Sequence, residues 1–158
     1  MTEPIKDTHI AVIGAGVMGS GIAQKYASSG YPVTIIDTQM QSLQKSQAGI
    51  DAMLEQGVVR GVFKPADKAA IMGRITFSNE LLAAQHADVV VEAIFEDKTA
   101  KIELFRHIEE ICSPQTLLAT NTSSLKVADM QVALRHKDRF LGLHYFFHPA
   151  KNRLVELI

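Results

Sequence analysis

A doubly wound, mostly parallel α/β sheet is the fold this sequence predicts, on three observations. Short apolar runs lack polar alternation, amphipathic segments separate them, and a glycine turn joins the first run to the first such segment. Ile10-Ala11-Val12-Ile13 is apolar throughout, as expected of a central parallel strand covered on both faces. A helix follows over about 17–29, and Val33-Thr34-Ile35-Ile36 forms the second strand, entered through Pro32 and ended at Asp37. Strand, turn, helix and strand in this order make a βαβ unit with a right-handed crossover.

From 38 to 74 the pattern changes. Leu43, Ile50, Met53, Leu54 and Val58 fall at helical spacing, Gly57 and Gly61 act as breakers, and Pro65 follows. One αβ connection needs fewer residues, so a helical hairpin is inserted after the second strand. Arg74-Ile75-Thr76-Phe77 is the third strand and 88–94 the fourth. The helix over 97–111 places Ile102, Phe105, Ile108 and Ile111 on one stripe before Pro114. Thr116 to Thr120 form the fifth strand, a short helix starts near Ser124, and 139–144 and 153–158 are the last two strands. The final strand pattern runs to Ile158 without a capping residue or polar tail, so the chain reads as cut.

The 158 residues suit one domain. Sixteen basic residues against seventeen acidic ones, dispersed along the chain, argue against a nucleic-acid partner. Cys112, the single cysteine, reads as a buried inert thiol in a reducing compartment. No run approaches the ~18 apolar residues of a membrane span. The polar residues 1–9 lead straight into the first strand, leaving no room for a signal or transit peptide. The expectation is a soluble, cytoplasmic protein with no membrane partner and no metal.

Gly14-Ala15-Gly16-Val17-Met18-Gly19 matches G-x-G-x-x-G in its required context: it leaves a strand, opens a helix, and Asp37 ends the next strand 18 residues after Gly19. This is the dinucleotide fingerprint of a Rossmann-type fold. Gly14 permits the turn, Gly16 admits a pyrophosphate, Gly19 lets helix approach strand, and Val17 and Met18 open the helix whose N-terminus faces the phosphates. The Asp37 carboxylate can accept both ribose hydroxyls and repels a 2′-phosphate, and no arginine follows it within 38–44. NAD is therefore favoured over NADP. Capping a helix is a compatible use of Asp37.

Near the C-terminus, Ser123, His144 and Glu156 are set into or beside apolar runs. A carboxylate on a buried strand face is costly unless a partner compensates it. A histidine at the end of a neighbouring strand would do so, giving a base that works near pH 7. Plainer readings stay open: Ser123 as a helix cap, His144 as a hydrogen-bonded strand end, Glu156 facing water from an edge.

Gly14 to Gln24, Val91-Glu92-Ala93-Ile94, Asn121-Thr122-Ser123-Ser124-Leu125, Gly142-Leu143-His144 and Leu154-Val155-Glu156 together resemble, in order and spacing, the NAD-binding domain of the L-3-hydroxyacyl-CoA dehydrogenase family. The resemblance covers nearly the whole chain. It implies interconversion of 3-hydroxyacyl-CoA and 3-ketoacyl-CoA with NAD, as in β-oxidation or butyrate-type metabolism. It further implies His144 as base, Glu156 as the acid that orients it, and Ser123 as the hydroxyl at substrate and nicotinamide. Asn121, Glu96 and Lys101 join Asp37 as cofactor-site candidates.

The chain departs from the family pattern in three ways. Where the family commonly reads His-Phe-Phe-Asn-Pro, it has His144-Tyr145-Phe146-Phe147-His148-Pro149, so His148 either takes over part of the asparagine's contact or is a loop residue. Met53 and Arg60 stand where the family turns a serine and a lysine toward coenzyme A; Arg60 can hold a phosphate, whereas Met53 cannot replace a hydroxyl. Third, the family's helical C-terminal domain, which supplies a homodimer interface and a catalytic asparagine, is absent from residues 1–158. The isolated domain is expected to bind NAD and turn over poorly. Two other readings stand beside this one: a dehydrogenase of a free hydroxy or sugar acid, and a non-catalytic relative of the kind seen among lens crystallins.

Overall fold

The computed structural model describes residues 8–158. Residues 1–7, which carry most of the reading of a leaderless N-terminus, lie outside the described residues. Among the described residues, seven strands form one sheet in the order β3-β2-β1-β4-β5-β6-β7. They are β1 (Ile10–Ile13), β2 (Val33–Ile36), β3 (Ile75–Ser78), β4 (Val89–Glu92), β5 (Leu117–Thr120), β6 (Phe140–Tyr145) and β7 (Val155–Leu157). All neighbours are parallel except β6 and β7, which pair antiparallel. The order reverses between β1 and β4, which is the topological switch point where ligands bind outside the carboxyl ends of strands.

Among the described residues, five α-helices cover the two faces: α1 (Val17–Ser28), α2 (Met40–Val59), α3 (Pro65–Met72), α4 (Lys98–Ile111) and α5 (Val127–Gln131). Every residue of β1 and β2 is buried, which is why neither run alternates. Ile10, Val12, Val33 and Ile35 meet α1 to α3 through Ile22, Leu43, Ile50, Leu54 and Ile71. Ala11, Ile13 and Ile36 face the opposite layer with Phe105, Ile108 and Met130, where the Phe105 and Phe140 rings pack edge to face at 4.8 Å.

The helical hairpin is α2 with α3. Gly57 lies inside α2 rather than ending it, and the Phe63 ring packs where a side chain at 57 would be; the break comes at Gly61, whose φ is 71°. The helix expected near Ser124 begins instead at Val127, since Ser123 to Leu125 form a bend. Short 3-10 turns at Leu81–Ala84 and Lys137–Arg139 carry no periodic signal in the sequence. No helix among the described residues is long and apolar enough to cross a membrane.

Candidate functional site: a nucleotide cleft and a histidine–carboxylate pair

Gly14 turns out of β1 with φ 105°, a conformation that L side chains rarely adopt. Gly19 lies so close to this turn that a Cβ would come within 1.8 Å of the Gly14 carbonyl oxygen. Gly16 is different: a Cβ there would meet nothing within 4 Å, so its backbone borders open space. Gly16 is also the N-cap of α1, with no side-chain cap and no acid in the first turn. Free N–H groups, the positive end of the helix and an open cradle fit a pyrophosphate. Val17 is exposed and Met18 half-buried at this end.

Asp37, at the end of β2, accepts the Ala15 N–H through Oδ2 and the Gln39 N–H through Oδ1, both at 2.8 Å. Its carboxylate thus fixes the glycine turn and keeps lone pairs for ribose hydroxyls. A cleft of about 580 Å³ opens between Gly14, Asp37, Ile36, Leu81, Ile94 and Phe95, apolar enough for an adenine.

Across the switch point, β6 carries His144 and β7 carries Glu156. The two are direct cross-strand partners, with Nδ1 and Oε2 2.8 Å apart. The His144 side chain is 18% exposed and Glu156 52%. The expectation that Glu156 sits on a buried strand face is therefore corrected: among the described residues β7 pairs with β6 alone, at the sheet edge, and water reaches the acid while it still holds the imidazole. The His144 ring also lies 4.7 Å from that of Phe146.

Ser123 is exposed on the bend after β5, the strand next to β6. Asn121 ties this bend to β6, its Oδ1 accepting the Tyr145 N–H at 2.9 Å. Beyond the last ladder pair, Thr120 with Gly142, this side chain continues the link between the serine loop and the histidine strand.

The buried carboxylate is Glu92, at the end of β4 and 0% exposed. Its Oε1 accepts from Lys101 Nζ at 2.5 Å and from the Ile94 N–H at 2.7 Å, and its Oε2 from the Thr120 hydroxyl at 2.6 Å. Lys101, 1% exposed, also lies 3.2 Å from Glu96 Oε2. The Thr122 and Ser124 hydroxyls both donate to Glu96 Oε1. Burial pushes the Glu96 carboxyl up, but these hydrogen bonds and the Lys101 charge outweigh it and hold the group at about 2. Lys101 is thus enclosed beneath Glu96, and Glu96 is the member that reaches the surface.

The sequence reading did not single out Glu92 as a buried acid. The available signals were an acid ending an otherwise apolar run and a lysine nine residues on, but an acid beside an apolar run with a nearby cation also describes Glu156 and Arg153. It also missed that dispersed cations converge. Lys25, Arg60, Lys151 and Arg153 surround a groove of about 540 Å³ between α1, α2 and the loop before β7. Lys25 Nζ donates to the Asn152 carbonyl at 2.6 Å and to the Pro149 carbonyl at 3.3 Å, holding that loop on α1; burial and then Arg153 lower its pKa. His148 packs against Gly21, accepts the Ala150 N–H at Nδ1, and lines a hollow of about 340 Å³ that adjoins the groove at Gln24 and Met53. Burial and Lys151 lower its pKa, favouring a neutral ring.

Anion capture on one side of the switch point and proton handling on the other is the division of labour of a dinucleotide-dependent oxidoreductase domain. Residues 9–158 match the family described as 3-hydroxyacyl-CoA dehydrogenase, NAD binding domain. The chain belongs to that family, and its cofactor is NAD. It is 36% identical over 149 residues to a probable 3-hydroxybutyryl-CoA dehydrogenase of Bacillus subtilis, covering 94% of this chain and 52% of that protein. It is 37% identical over 157 residues to human mitochondrial hydroxyacyl-coenzyme A dehydrogenase, covering 95% and 50%. The crystal structure of 3-hydroxybutyryl-CoA dehydrogenase from Escherichia coli K12 superposes with a TM-score of 0.93 at 36% identity, covering 95% of this chain and 32% of that one. The chain spans about half the length of the first two relatives.

Proposed function

We propose that this chain is the coenzyme-binding part of an enzyme that moves a hydride between NAD and C3 of a 3-hydroxyacyl-CoA/3-ketoacyl-CoA pair, in β-oxidation or butyrate-type metabolism. The observation that carries this reading is the His144–Glu156 pair across β6 and β7, one strand away from the bend that carries Ser123. NAD, when bound, accepts or returns the hydride. His144 donates Nδ1–H to Glu156, which leaves the Nε2 lone pair to take the C3 hydroxyl proton in oxidation and to give it back in reduction. Glu156 fixes the tautomer and offsets the imidazolium charge. Ser123 orients the substrate oxygen, Asn121 positions the loop that carries it, and Lys101 acts through Glu96.

The cationic groove suits the phosphates of coenzyme A, with Arg60 at the C-cap of α2 and Lys151 and Arg153 opposite. His148, which lines the adjoining hollow, is a candidate donor to the acyl end. Exposed Phe147, Leu154 and Leu157 near the histidine–glutamate pair suit cover by a helical domain outside residues 1–158 that also pairs two copies. Turnover by the chain alone is then slow. A cytoplasmic setting is supported by the single unpaired thiol.

The test is oxidation of NADH by acetoacetyl-CoA, with free acetoacetate as the control. Slow thioester-dependent oxidation is expected, with none from the free acid. His144→Gln should lower the rate by about a hundredfold to ten-thousandfold without changing NADH affinity. Turnover of the free acid alone would transfer the reading to a hydroxy-acid dehydrogenase. NAD binding without either reaction, also when the chain is supplied with a helical domain, would leave a non-catalytic relative.

A further inference from the structure

Glu92, Lys101 and Glu96 form a continuous buried-to-surface chain of charges: Glu92 to Lys101 at 2.5 Å, Lys101 to Glu96 at 3.2 Å. Stability alone is a poor account of it, because an enclosed ion pair is often matched or exceeded by apolar residues of similar volume. Two carboxylates against one ammonium leave one net negative charge. Its exposed end, Glu96, follows β4 and is gripped by the hydroxyls on either side of Ser123. Asp37, at the end of β2, lies on the other side of the switch point. By the ordinary lie of a dinucleotide across such a sheet, the adenosine half goes to Asp37 and the nicotinamide half to Glu96.

We propose that Glu92, Lys101 and Glu96 act as one unit whose net negative charge makes the domain favour the oxidised, positively charged nicotinamide over the reduced, neutral one. This rests on the reading that Glu96 faces the nicotinamide half. Lys101 alone would cancel Glu96; Glu92, shielded from water and touching Lys101 directly, restores the charge at the cleft. Glu92 and Lys101 are thus positioning residues that set the preference of the domain for one redox state of its coenzyme.

The experiment measures Kd for NAD+ and for NADH separately on the purified chain, by calorimetry, and takes the ratio Kd(NAD+)/Kd(NADH). Glu92→Gln makes the unit neutral and should raise the ratio roughly tenfold, the order expected for removing a unit charge in a partly solvated neighbourhood. Glu96→Gln, also neutral, should raise it similarly. The double substitution Glu92→Gln, Lys101→Met leaves Glu96 as the single charge and should return the ratio toward that of the unaltered chain. A role confined to packing predicts no such return. An unchanged ratio in Glu92→Gln, or a ratio still raised in the double variant, overturns the proposal. If Glu92→Gln does not fold, the double variant and Glu96→Gln decide it: equal ratios in the two overturn it. Loss of thioester turnover with this pattern intact would instead count against the function proposed above.

Discussion

His144 and Glu156 face each other across the antiparallel step between β6 and β7, held at 2.8 Å while the acid remains 52% exposed. Glu156→Gln keeps an acceptor for Nδ1–H but removes the charge. Because water already screens the pair, the expected loss in kcat is modest, about tenfold to a hundredfold, with NADH affinity unchanged. Steady-state kinetics beside a binding titration checks both halves.

Gly19→Ala places a Cβ 1.8 Å from the Gly14 carbonyl, a contact with backbone that cannot rotate away. Denaturant melts should show destabilisation of about 2–3 kcal/mol, with weakened NAD binding as the turn shifts. Gly49→Ala, on the exposed side of α2 where a Cβ meets nothing within 4 Å, should instead stabilise by about 0.5–1 kcal/mol.

The Glu96 carboxyl, held at about 2 against its ordinary 4.5, makes stability depend on acid. The folded pKa is the lower one, so the contribution is present above pH 4.5 and disappears as pH falls toward 2. With the side chain 37% exposed, solvent screening leaves only part of it. Urea midpoints across this range should fall more steeply for the unaltered protein than for Glu96→Gln.

Burial raises the Cys112 thiol to about 11, and its Sγ donates to the Ala84 carbonyl. Iodoacetamide at neutral pH should leave the folded protein unmodified and label it at once when unfolded. Mass spectrometry before and after denaturation reads this directly.

The strands were legible because a doubly covered sheet demands uninterrupted apolar runs: 10–13 and 33–36 coincide with β1 and β2 to the residue. The inserted hairpin was legible from its length and helical spacing. The two strand acids, Glu92 at the end of β4 and Glu156 within β7, were not told apart. Val89-Val90-Val91-Glu92 and Leu154-Val155-Glu156 look alike as strings, yet β4 is central and β7 is an edge, so one glutamate is sealed and the other wetted. Strand order, which no local pattern encodes, decides burial. The cationic groove was hidden for the same reason, since Lys25 and Lys151 are brought together only when the loop before β7 folds over α1.

Being three residues long and bonded along one side only, β7 is the part of the sheet best placed to fray first. The acid it carries would then leave the imidazole while the glycine turn, four strands inward, stays formed. Chemistry and coenzyme capture are in this sense mechanically separable: dilute denaturant should silence the reaction at concentrations where NADH is still retained.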